Sequence, residues 1–149
     1  MIKKEKYYNF CQTFVEQRLS RIQNNISSIQ DALTSETKSS AGDKHETGRA
    51  MLQLEREKLG QQLAEAEKMK QTLAKVNIAK STTTVQLGSW VKTSTAHYFL
   101  AISAGEYKDD ATSVYCISIL TPIAQLLLGK VKDERIQFNG NEITIVEVV

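Results

Sequence analysis

The chain of 149 residues lacks most of what marks a secreted, metal-bound or membrane protein. It holds a single proline, Pro122, only two cysteines, Cys11 and Cys116, and no glycine before Gly42. The cysteines are far apart and in no metal-ligand or CxxC spacing, which excludes a sequence-local zinc or dithiol motif and leaves buried free thiols. No apolar run approaches the roughly 20 residues that a membrane helix needs. The basic start Met1-Ile2-Lys3-Lys4-Glu5-Lys6 leads into Tyr7-Tyr8-Asn9-Phe10 and then polar residues, without the apolar stretch of a signal peptide. The expectation is a cytoplasmic protein with no membrane partner. An excess of one charge is missing too. The net charge is +2, with 13 Lys/Arg against 10 Asp/Glu in residues 1–77 and 6 against 7 in residues 78–149. Neither half is the polycation that binds nucleic acid through charge alone.

What is present is periodicity. Tyr8, Cys11, Val15, Leu19, Ile22, Ile26, Ile29 and Leu33 recur at steps of three and four, a single helical stripe close to a coiled-coil repeat. Leu52, Leu59, Leu63, Ala66, Met69, Leu73 and Val76 continue such a stripe on a second helix, from near Lys44 to about Val76. Gly48 and Gly60 each weaken that helix by about 1 kcal/mol relative to alanine. Two amphipathic helices joined by a short polar segment bury their stripes most simply against each other, as an antiparallel hairpin. Its tip is expected near residues 35–46, in Ser39-Ser40-Ala41-Gly42-Asp43-Lys44-His45-Glu46, which carries two carboxylates.

After Val76 the composition turns to Ser and Thr, then to short β-like runs at Val85–Leu87, His97–Ser103 and Ser113–Leu120. A domain boundary is placed near Asn77, giving a hairpin over 1–77 and a second domain over 78–149. Ala104 to Ala111, with its glycine and paired aspartates, reads as an exposed hairpin loop. Thr121 is a candidate N-cap, with Pro122 at the first helical position and Gly129 as the stop of a short helix. Asn139-Gly140, flanked by 135–138 and 141–149, has the composition of a type I′ turn. Four or five strands with one helix make a small α+β domain.

At this point the chain resembles the Gre transcript-cleavage factors of bacterial RNA polymerase, the GreA/GreB family. Gly42-Asp43-Lys44-His45-Glu46 is similar to the family's tip sequence Gly-Asp-x-x-Glu. Thr121-Pro122-Ile123-Ala124-Gln125-Leu126-Leu127-Leu128-Gly129-Lys130 resembles its Ser-Pro-Ile-Ala-x-x-Leu-x-Gly-Lys, and Val85-Gln86-Leu87-Gly88-Ser89 its Val-x-x-Gly-Ser. The resemblance implies a coiled-coil hairpin followed by an FKBP-like domain. It also implies an elongation factor that binds RNA polymerase in the DNA-bound elongation complex and enters the secondary channel. There the tip would stimulate cleavage of the backtracked RNA 3′ end. By the same resemblance the protein is an accessory factor rather than an enzyme. Asp43 and Glu46 would assist Mg²⁺ at the polymerase active site, with no metal in the free protein, and Thr121, Pro122 and Ile123 would bind the polymerase. Mg²⁺ takes hard oxygen ligands, and two metals clamp the attacking and leaving oxygens of an in-line displacement.

The same residues have plainer readings. Asp43 with Glu46 is also a capping-box spacing with an acidic first turn, and the two roles are compatible. His45 reads as an ordinary solvent-facing histidine. Where the family continues Asn-Ala-Glu-Tyr, this chain has Thr47-Gly48-Arg49-Ala50, so Lys44 and Arg49 flank the tip carboxylates. That departure supports the alternative of a channel-entering regulator or inhibitor that does not stimulate cleavage. A third reading is a prolyl isomerase whose pocket Trp90, Tyr98, Phe99, Tyr107, Tyr115 and Phe138 would line, against the plainer view that they fill a core.

Overall fold

The computed structural model describes residues 4–38 and 43–149, the side chains of 36–38 and 43–45 excepted. Helix α1 spans Glu5–Lys38 and α2 spans Asp43–Ala74. The connection at 39–42 lies outside the described residues. At about 1.5 Å per residue each helix is on the order of 50 Å long. The chain forms two compact units, one of Val15–Met69 and one that joins the residues up to Phe14 to Lys70–Val149.

The unit Val15–Met69 is an antiparallel helical hairpin. Val15 and Ile22 of α1 and Leu59 and Ala66 of α2 are buried, and Leu19, Ile26, Ile29, Leu33, Leu52 and Leu63 are half-buried. The stripes therefore close on each other, as their spacing predicts. Direction follows from two contacts. Arg18 Nη1 donates to Met69 Sδ at 3.7 Å, and Arg49 Nη1 donates to the Leu33 carbonyl at 3.2 Å. Helix α2 runs through Gly48 and Gly60 without a break, so packing of the stripe outweighs their low propensity.

The second unit is built on a six-stranded sheet, more than the four or five expected. Its strands are β1 Trp90–Thr93, β2 His97–Ala101, β3 Gly105–Asp109, β4 Thr112–Ser118, β5 Arg135–Phe138 and β6 Asn141–Val148, in the order β3-β4-β2-β1-β6-β5. Strands β2 and β4 are parallel, and the other pairs are antiparallel. Two expectations need correction. Most of the 104–111 segment is not a loop: Gly105–Asp109 pairs along β4, and Asp110, with φ of 45°, and Ala111 form the tight turn between the two strands. Val85–Leu87 is no regular strand. Thr84 makes one bridge to Val131, and Val85 exchanges hydrogen bonds with Lys130 O and Gly129 N, each at 2.9 Å.

Alternation divides the sheet into two faces. Val91, Leu100, Ile136, Ile143 and Ile145 point to one face, where Ile123, Ala124 and Leu127 of α3, Pro122–Leu127, complete a core with Val85. Trp90, Phe99 and Cys116 point to the other, and the first turns of α1 cover it. The Tyr7 ring lies 5.8 Å from Phe99 and 5.4 Å edge-on to Tyr107. Here Tyr7, not Tyr8, shares the buried side with Cys11, since residues four apart stack on one helix face. Asn139 and Gly140 both have positive φ, with Phe138 opposite Asn141, as the type I′ reading requires.

Candidate functional site

The two places singled out in the sequence fall on different units. At the hairpin, Asp43 is the first residue of α2 and Glu46 follows three residues on, with an exposed side chain. Both stand in the first turn, where the positive end of the helix dipole favours carboxylates. The Asp43, Lys44 and His45 side chains lie outside the described residues. Arg49, read above as a cation flanking the acids, reaches across to the Leu33 carbonyl on α1, so it bridges the two arms close to their ends. Among the described residues no group of three or more His, Cys, Asp or Glu side chains could hold a metal ion.

The corner that begins α3 is built from the sequence Leu120-Thr121-Pro122-Ile123. Thr121 has extended backbone, φ −68° and ψ 151°, and its Oγ1 accepts from the Ala124 amide at 3.3 Å while donating to the Ser118 carbonyl at 2.8 Å. Pro122 follows in the first turn, where its missing N–H leaves nothing unpaired. Gly129, with φ of 82°, receives the chain as the helix ends. Ile123 is turned into the core, so what the corner presents outward is Pro122 with Leu120, 81% exposed, and the half-exposed Leu126. Of the three residues expected to bind the polymerase, Thr121 caps the helix and Ile123 enters the core, and Leu120, which departs from the polar residue some members of the resembled family carry there, is the most prominent surface of the corner.

In the same unit, Gly88 and Ser89 form a tight turn. Gly88 takes φ of 91°, Ser89 Oγ accepts from the Gln86 amide at 2.9 Å, and the Gly88 carbonyl accepts from Lys4 Nζ at 3.0 Å. This Gly-Ser pair is thus a structural clasp.

The six aromatics considered for an isomerase pocket do not converge. Tyr98 and Phe138 pack on the α3 side, Phe99 and Tyr107 lie under Tyr7, and Tyr115 is exposed. A cleft of about 430 Å³ does open in this unit, but of the six only Trp90 lines it, among Lys6, Lys92, Asp109, Asp110 and Glu147. Burial, and then the nearby Lys92 charge, hold His97 in that cleft below its ordinary pKa. A charged wall of this kind is a poor seat for a proline side chain.

No family model and no curated protein matches the chain. Among solved structures it is similar to the transcription factor Gfh1, at 18% identity over 90% of either chain with a TM-score of 0.36. It is also similar to the prokaryotic transcription elongation factor GreA/GreB from Nitrosomonas europaea, at 23% identity over 56% of this chain and 78% of that one, with a TM-score of 0.34. Likeness at this level leaves function to be argued from the chain's own residues. Among the described residues no helix is long and apolar enough to cross a membrane.

Proposed function

We propose that the protein is a cytoplasmic, Gre-like transcription elongation factor that binds RNA polymerase and carries Asp43 and Glu46 to its catalytic centre. The observation that carries this reading is the place of the two acids. They open the second arm of an antiparallel hairpin, within its first turn, in the segment whose sequence resembles the family tip. Carboxylates there would supply hard oxygen ligands to a polymerase-bound Mg²⁺, favouring attack by water on the backtracked RNA. The protein itself would remain an accessory factor with no metal of its own. Leu120 and Pro122, held out by the Thr121 cap, would add an apolar contact with the polymerase, and Ile123 would support them from the core.

Lys44, between the two acids in the sequence, favours a second reading, a channel-binding regulator without cleavage stimulation. The separating experiment supplies the full-length protein and Mg²⁺ to stalled, backtracked elongation complexes. Faster release of short 3′ fragments supports the first reading. Binding that slows elongation without releasing fragments supports the second, and absence of binding removes both.

A further inference from the structure

The motif-free cysteines meet in the fold. Tyr7 and Cys11 are one turn apart on α1, and the Tyr7 ring lies over Phe99. Phe99 is the register partner of Cys116 on the parallel strands β2 and β4, so both side chains point to the same side. Cys11 is thereby set over Cys116. Both thiols are free and buried, 0% and 1% exposed, and they are near enough for each to shift the other's ionisation.

We propose that Cys11 and Cys116 are a redox modification site, oxidised by hydrogen peroxide to an intramolecular disulfide that ties the first turns of α1 to β4. Pairing with the Cys116 side chain, opposed by burial and aided by the Ile102 main chain, lowers the Cys11 pKa. The same pairing, with burial, pushes Cys116 up. Cys11 is therefore the attacking sulfur and Cys116 the resolving one. In the first step the Cys11 sulfur bonds to one peroxide oxygen, the O–O bond breaks, and the other oxygen leaves as water with the thiol proton. In the second the Cys116 sulfur bonds to the Cys11 sulfur, the S–O bond breaks, and the hydroxyl leaves as water with the Cys116 proton. Two thiols lose two electrons in all, and one peroxide becomes two waters. Burial favours a small uncharged oxidant over a bulky disulfide such as oxidised glutathione.

The test treats the reduced full-length protein, in dilute solution, with hydrogen peroxide, then alkylates remaining thiols in denaturant and maps peptides without reduction. The expected result is joint loss of both alkylations, a monomer lighter by two hydrogens, a peptide pair linking Cys11 to Cys116, and reversal by dithiothreitol. Bond formation should be at least about 10-fold faster in the folded chain than in urea, where closing so long a loop is improbable. In Cys116→Ser the Cys11 sulfur should stall as a sulfenic acid that dimedone traps. Oxidation of either thiol singly in the wild type, both thiols remaining unreacted, a linkage between two chains, or an equal rate in urea would each overturn the proposal.

Discussion

The Lys4 ammonium donates to the Gly88 carbonyl at 3.0 Å across 84 residues of sequence, and the same nitrogen reaches Lys80 O at 2.8 Å and Val149 O at 3.3 Å. One buried cation thus gathers the start of α1, the segment after α2, the turn before β1 and Val149, which exchanges main-chain hydrogen bonds with Trp90. Lys4→Met keeps the stem and strands the Gly88 and Lys80 carbonyls, while Val149 O keeps its bond from the Trp90 amide. We expect a loss of about 1–3 kcal/mol for leaving buried carbonyls unpaired, read as a lower urea midpoint. An unchanged midpoint would mean that water replaces the ammonium at no cost.

The same residue gives a pH dependence. Burial holds the Lys4 pKa below the ordinary 10.5. Between its folded value and 10.5 the unfolded chain binds more protons than the folded one, so this group's share of stability rises with pH through that window. Lys4→Met should remove the rise. The check is urea unfolding of both proteins at a series of pH values from neutral to 10.5, where parallel curves would contradict the expectation.

In the hairpin, Ile22 is buried and Ile26 only half so. Ile22→Asp should therefore melt the arms, costing several kcal/mol for an unpaired charge in the seam, whereas Ile26→Asp should cost clearly less. Circular dichroism at 222 nm during thermal unfolding compares them. Equal losses would mean the seam does not distinguish the two positions.

Much of this fold was legible because it rests on periodicity and turn chemistry. The stripes from Val15 to Leu33 and from Leu52 to Ala66, the Thr121-Pro122 helix start and the Asn139-Gly140 turn each have one dominant physical cause, visible in a few neighbouring residues. Strands β1 and β3 were not legible. Trp90–Thr93 is four residues long and mixes apolar, charged and polar side chains, and Gly105–Asp109 is an edge strand whose only large apolar residue is Tyr107. Their pairing partners decide them, and pairing is not local. The same holds for Ile123 and Arg49. One reads as a contact residue until the core claims it, and the other as a cation competing for the acids until it is seen bonded to Leu33.

That bond changes what Arg49 is expected to do. Arg49→Glu removes a cation from the neighbourhood of Glu46, but it also removes the 3.2 Å bond to the Leu33 carbonyl. We expect a loss of about 1 kcal/mol in hairpin stability, measured by urea unfolding followed by helical signal, with Arg49→Lys losing less. A variant as stable as the wild type would show that the bond carries no weight, and any functional change could then be assigned to charge alone.

The most direct measurement of the proposed function is RNA release from backtracked elongation complexes with Mg²⁺, comparing the wild type with Asp43→Asn. The amide keeps the size of the acid and much of its compatibility with a helix start, but it loses the anionic oxygen that Mg²⁺ requires. We expect the wild type to speed release of short 3′ fragments, and Asp43→Asn to abolish that gain while still binding polymerase and keeping its helical signal. Fragment release that is equally fast with Asp43→Asn would contradict a role for the tip carboxylate in cleavage.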